Sequence, residues 1–242
     1  MGLITTIATM VHEYLKESAK SDVIYSKESK RIYNKIKNNI EKIIFTPTDH
    51  FDFVKDMVGR VHFLKGVKFN LKQLNENYDL DIFFVYNIDK RKSTNHHFDP
   101  KHNRLVFFIL SQGNSSFEGD SYLARLRFKS WVGESVFIHE FIHYLDYNRY
   151  GESYSFKTKK NIIKYYNSPE EYNAYSHEII RKILANKNKL TGISFDAFLE
   201  KSYGWGDEEF IKNLNYDYRK KLEKRLYKIF VEINTVPPLK KH

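Results

Sequence analysis

Residues 136–147, VFIHEFIHYLDY, set two histidines, a glutamate and an aspartate inside a run of large apolar side chains. Burying titratable groups among Val, Phe, Ile and Leu is unfavourable unless each finds a partner. The periodicity is helical. With His139 at zero and each residue advancing about 100°, His143 stands at about 40°, Asp146 at about −20° and Glu140 at about 100°. Phe137, Ile138, Phe141, Ile142 and Leu145 take the opposite side. A helix over 130–149 is therefore expected, with an apolar face to bury and a polar stripe that needs something to hold.

His139, Glu140 and His143 spell H-E-x-x-H. Two imidazoles one helical turn apart can both reach one zinc ion, at about 2.0–2.1 Å each. The glutamate is displaced enough to miss the metal and stand beside a metal-activated water, where it can serve as general base. The carboxylate would then carry the proton to the leaving amine of a peptide bond. The competing explanation is structural, two satisfied core histidines beside a salt-bridged glutamate.

A catalytic zinc needs a third protein ligand and an open position. Downstream, NSPEEYNAYSHEII promises a helix from Pro169 to about Leu190, with Ser168 as N-cap and Glu170 and Glu171 in the first turn, where carboxylates suit the helix dipole. On that helix Glu171, Tyr175 and Glu178 share a face, while Glu170 and His177 point elsewhere. Glu171 is the expected third ligand, with Glu170, His177 and Glu178 as alternatives. Ala174, small and near that face, would allow a close approach. A donor for the developing oxyanion is also required. Tyr175 is the candidate, with Tyr166 and His177 as alternatives. A fourth ligand, from His177 or Asp146, would instead close the shell into a structural site.

HEFIH followed by YLD, then a second helix with EEYNAY, resembles the zincin metallopeptidases of the glutamate-ligand type. The H-E-F-x-H-x-x-D string is similar to the lethal-factor-like branch of bacterial toxin peptidases, and related strings recur in small phage and bacterial proteins. The resemblance covers roughly residues 103–185. It implies a zinc metallopeptidase with His139, His143 and Glu171 as ligands, Glu140 as base, and Asp146 orienting an imidazole by accepting its other N–H. It also implies a small sheet whose edge strand, here NRLVFFIL, holds an extended protein or peptide substrate. Such an enzyme would be a toxin or effector cutting a host protein, or a phage or bacterial protease acting on its own system.

Composition narrows the alternatives. The 242 residues contain no cysteine, which excludes disulfides and thiolate-bound zinc and leaves His, Asp and Glu as ligands. Aromatics make up 16%, enough for a sizeable core, and ten Gly with five Pro argue against a turn-rich β-sandwich. The net charge of +10 admits nucleic acid or an acidic partner. A non-catalytic zincin-fold binding protein using that surface is the alternative function, although the intact Glu140 speaks against it. No apolar run approaches the roughly 18 residues of a membrane span. MGLITTIATMVHEY lacks a basic residue ahead of its apolar stretch and a clear cleavage site, so no signal peptide is expected; the compartment stays open, with the cytoplasm of its own or a host cell slightly favoured. Gly2 and Thr6 fit the loose myristoylation pattern, which recurs by chance.

The expected class is α+β, a mainly helical zincin-like fold with a small sheet and an active-site helix. An N-terminal helical region spans 1–75, a metallopeptidase core 76–190 and a C-terminal helical region 191–242, within one compact unit. Residues 5–44 look helical around Ile32, Ile36, Ile40 and Ile43, and 46–64 turns helical again, ending near Gly66. Residues 79–88 and 103–110 have strand composition, with a polar loop between them. Within that loop His96, His97, Asp99 and His102 suggest a solvated segment more readily than a second metal site. His12 with Glu13 lacks a second histidine. Trp205 is expected to be a buried anchor, 218–228 an ordinary basic amphipathic helix, and the glycosylation pattern at Asn114 is set aside without a secretory signal.

Overall fold

The computed structural model describes residues 23–47, 53–55, 61–63, 65–86, 96–109, 117–151 and 161–235. The expectations for residues 1–22, including Gly2, Thr6, His12 and Glu13, and for Asn114 lie outside them. The chain forms two compact units, one of residues 29–160 and one of 161–242 with the chain up to residue 28. The fold is mainly helical α+β with a small mixed sheet, as the composition and periodicity suggest.

Helix α1 (23–39) belongs to the 29–160 unit from Ser29 onward, where it buries Ile32 and Ile36, and Ile40 and Ile43 follow it into the core. Arg31 and Lys35 of this helix converge on the buried carboxylate of Glu76, Arg31 with both outer nitrogens at 2.7 and 2.6 Å. The Arg31 hydrogen bonds hold Glu76 below the usual carboxylate range against the opposing effect of burial.

Among the described residues seven strands follow: β1 (Thr46–Pro47), β2 (Phe53–Lys55), β3 (Val61–Phe63), β4 (Lys65–Asn70), β5 (Asp81–Tyr86), β6 (His97–Asp99) and β7 (Arg104–Ile109). β2 and β3 pair as a separate antiparallel ladder. The other five form a sheet in the order β1-β4-β5-β7-β6, in which only β5 and β7 are parallel. This corrects the helix expected over 46–64, because β1, β2 and β3 occupy its described residues. It also corrects the polar loop, which contains β6. A third correction concerns NRLVFFIL. β7 is flanked by β5 on one side and β6 on the other, so it is not the sheet's edge strand.

Side chains alternate across β5 and β7. Phe83, Val85, Val106 and Phe108 form one cluster. Phe84 and Phe107 lie on the other face with ring centroids 5.9 Å apart. That face carries α2 (Phe117–Arg127), a π-helical turn (Phe128–Val132) and α3 (Glu134–Tyr150). Phe128 meets Phe84 edge-on at 6.0 Å, and Phe137 stacks on Phe107 at 6.1 Å. All four rings are fully buried, and each contributes about 1.5–3 kcal/mol relative to exposure.

The second unit is helical: α4 (Ile162–Tyr166), α5 (Pro169–Ala185), α6 (Phe195–Gly204), α7 (Glu208–Asn213) and α8 (Tyr216–Thr235). Here α4 replaces part of the expected polar connection, and α5 ends at Ala185 before a 3-10 turn over Lys187–Lys189. Ile179, Ile180, Ile183, Phe198, Phe210, Leu222, Leu226 and Ile229 form its apolar interior. Trp205 is only partly buried, in contrast to the expected anchor. Phe210, five residues on, is the fully buried ring. Among the described residues no helix is long and apolar enough to cross a membrane.

Candidate metal centre

Helix α3 is entered through Gly133, whose φ of 52° and ψ of 160° suit a residue without a Cβ. The Phe137 N–H returns to the Gly133 carbonyl at 3.2 Å and closes the first turn of the helix. Phe137 and Phe141 stack at 5.6 Å on the rear, and Tyr78 packs edge-on against Phe141 at 5.4 Å. The front carries His139 and His143 with ring centroids 4.8 Å apart and planes at 80°. Their Nε2 atoms approach to 3.2 Å. His143 is buried, and His139 keeps more exposure.

Helix α5 begins as its sequence dictates. Ser168 is in extended conformation and its hydroxyl accepts the Glu171 N–H at 3.4 Å, while Pro169 fills the first turn. The carboxylates of Glu170 and Glu171 are both buried in that turn, where the unpaired N–H groups favour negative charge.

His139, His143 and Glu171 each offer a ligand atom, and the three atoms all lie within 4.8 Å of one another. Among the described residues this is the group of three His, Asp or Glu side chains able to hold a metal ion. The donors fit such an ion. Two arms of about 2.05 Å at a tetrahedral angle place nitrogens about 3.3 Å apart, and the observed Nε2 separation is 3.2 Å. The same separation also permits a single shared proton, so the geometry establishes a site able to bind a metal without naming the element.

Glu140 and Asp146 are buried on α3. Tyr175 lies one turn beyond Glu171, stacked on Phe210 at 5.0 Å and edge-on to Tyr166 at 5.1 Å. Burial, with the neighbouring Tyr166 and Glu171, pushes its phenol far above the usual range. Tyr166 is raised as well, mainly by burial and then by Glu209, to which its hydroxyl donates at 3.0 Å.

His177 is engaged elsewhere. Its Nε2 accepts from the Arg225 guanidinium at 2.8 Å, so the neutral ring carries its proton on Nδ1, which meets Ser26 Oγ at 3.1 Å. Full burial, then Arg225, drive its pKa well below the usual histidine value. Both nitrogens are occupied, so His177 is available neither as third ligand nor as a fourth. Glu170 and Glu178 are not in the metal group. Nor is the His96–His102 stretch, where Asp99 accepts from Arg104 at 2.8 Å and lies 2.8 Å from His102 Nδ1. The sequence alone does not single out Glu209, whose hydrogen bond from Tyr166 no spacing announces.

No family model, curated protein or solved structure matches the chain.

Proposed function

We propose that this protein is a zinc-dependent metallopeptidase. The observation that carries the proposal is the convergence of His139, His143 and Glu171 with their ligand atoms inside 4.8 Å, beside a buried Glu140 that is not part of the set. A two-imidazole, one-carboxylate shell suits zinc and leaves a coordination position open, whereas a structural site needs four protein ligands. When bound, zinc supplies Lewis acidity that brings the ionisation of water towards neutral pH and polarises a carbonyl.

The chain's own residues do the rest. His139 and His143 hold their nitrogens in register because one helix carries both. Glu171 supplies the negative charge. Glu140 removes a proton from the attacking water and delivers it to the amine that leaves, a role general bases fill with about 10²–10⁴-fold effect. The substrate is the peptide bond of a protein.

Elemental analysis, with cleavage of a mixed peptide library, tests this. The expected result is one zinc per chain and cleavage that Glu140→Gln abolishes while zinc stays bound. Protein that retains no zinc, or a Glu140→Gln variant as active as wild type, would defeat the proposal.

A further inference from the structure

The outward face of α8 carries a row of aromatic rings and ammonium groups. With Tyr216 at zero and about 100° per residue, Tyr227 stands at about 20°, Lys220 at about 40°, Lys224 at about 80° and Lys221 at about 140°. Leu222, Leu226 and Ile229, at about 220–280°, are fully buried in the helical unit. Tyr216 is 68% exposed and Tyr227 43%. Lys220 stands over the Tyr216 ring at 4.6 Å, and Phe195 holds Tyr227 edge-on at 5.1 Å. Both arginines of the helix are turned to protein partners. Arg219 donates to the Ile211 carbonyl at 3.0 Å, and Arg225 to Asn173 and His177, each at 2.8 Å. Glu223 is engaged as well, accepting from Tyr203 at 3.2 Å. Asp217 sits in the first turn, where it suits the helix dipole. Among the described residues no ion pair engages Lys220, Lys221 or Lys224.

Three exposed ammonium groups without carboxylates, flanked by two exposed rings, complement a flexible polyanion that also carries flat faces. We propose that this face of α8 binds single-stranded nucleic acid without sequence preference, with Lys220, Lys221 and Lys224 against phosphates and Tyr216 and Tyr227 against bases. Lysine meets phosphate as a compact point charge, whereas a carboxylate is best matched by the arginine fork, and both arginines here are engaged elsewhere. That favours a phosphate backbone over an acidic protein. An anionic membrane fits less well. An interfacial helix sinks its apolar face among lipids, and the apolar face of α8 is already the interior of its unit. Every base offers a ring face, so stacking on tyrosine adds affinity whatever the sequence. The two rings lie about 16 Å apart along the helix axis, which a strand stacked at about 3.4 Å per nucleotide spans in about five. Neither zinc nor peptide cleavage enters this binding.

Fluorescence anisotropy of the full-length protein with labelled oligo(dT) and oligo(U) tests this. Both are expected to bind, with log affinity falling against log salt at a slope of about −2, since three neutralised phosphates contribute about −0.7 each. Replacing Lys220 and Lys224 together by Gln is expected to flatten that slope by about 1.4. Tyr216→Ala and Tyr227→Ala are each expected to weaken binding by about 5–150-fold and leave the slope in place, while Tyr216→Phe keeps the wild-type affinity. In wild type, ultraviolet crosslinks to a bromouracil-substituted strand are expected at Tyr216 or Tyr227, a readout that needs no variant. Absence of binding at about 50 mM salt, crosslinks confined to other helices, or Tyr216→Ala and Tyr227→Ala variants that bind like wild type would each overturn the proposal. So would a polyglutamate peptide or anionic phosphatidylserine vesicles bound as tightly as the oligonucleotides, which would reassign the face to an acidic protein or a membrane.

Discussion

The Nε2 atoms of His139 and His143 lie 3.2 Å apart, a separation that either one shared proton or one shared ion can explain. The two differ in what Glu171 does. A shared proton has no use for a third donor, whereas an ion draws on all three. His143→Ala and Glu171→Gln are therefore each expected to weaken zinc binding by at least about 100-fold, beyond the 10–100-fold typical of residues that only support a ligand. Competition titration against a chromophoric chelator measures this. Unchanged affinity in Glu171→Gln would remove that carboxylate from the shell.

Metal removal should also register in stability. A ligand that binds only the folded state, at a hundred times its dissociation constant, adds about 2.7 kcal/mol. Stripping zinc with a chelator is expected to lower the unfolding midpoint in wild type and to leave it unmoved in the double variant His139→Ala, His143→Ala.

Asp146 stands one turn beyond His143 on the ligand stripe and is 3% exposed. If it orients an imidazole, Asp146→Asn keeps the shape and loses the charge that fixes the ring. Zinc affinity is expected to fall by about 10–100-fold while the fold, followed by circular dichroism, is retained.

His96 makes stability pH-dependent. Burial, then the neighbouring His97, lowers its pKa from 6.5 to about 4. Its Nδ1 accepts the Phe108 N–H at 3.1 Å, and protonation would abolish that acceptor. Below pH 6.5 the unfolded chain takes up a proton that the folded chain refuses until about pH 4. Stability present above pH 6.5 is thus lost as pH falls across this window, by up to about 3 kcal/mol, and levels off below it. Urea unfolding at pH 7 and 4.5 should show the loss in wild type and a smaller one in His96→Gln, which keeps an acceptor.

Gly66 pairs with Val85 across β4 and β5, and a Cβ built there would stand 2.0 Å from the Phe84 carbonyl oxygen. That oxygen belongs to a central strand and cannot step aside. Gly66→Ala is expected to lower stability by about 1–3 kcal/mol or more, readable by denaturant titration.

The elements most legible in the sequence are those whose signal is local. The stripe of α3, the Ser168-Pro169-Glu170-Glu171 start of α5 and the β-branched and aromatic runs of β5 and β7 all follow from neighbouring residues alone. Misread elements depend on distant partners. Residues 53–55 and 61–63 mix apolar and charged side chains in a way that permits a helix, and only their pairing with each other makes them strands. Strand β6 is three residues long inside a polar stretch and exists because Phe98 is buried and Leu105 lies opposite. The pairing of the short β6 with β7 moves β7 off the edge, and no local pattern in NRLVFFIL reports that. In the metal group, Glu171 was separable from Glu170 by helix phase, whereas the engagement of His177 by Arg225 needed a contact 48 residues away.

The stacked rings of Phe137 and Phe141, with Tyr78 set edge-on behind them, never meet an ion, yet they govern how accurately the imidazoles are aimed. Flat rings in a close-packed file leave a helix little room to roll, so the rear of α3 acts as the reference surface from which the ligand stripe takes its bearing. Trimming that surface, as in Phe141→Ala, would loosen the grip on a metal without altering one atom of its coordination shell.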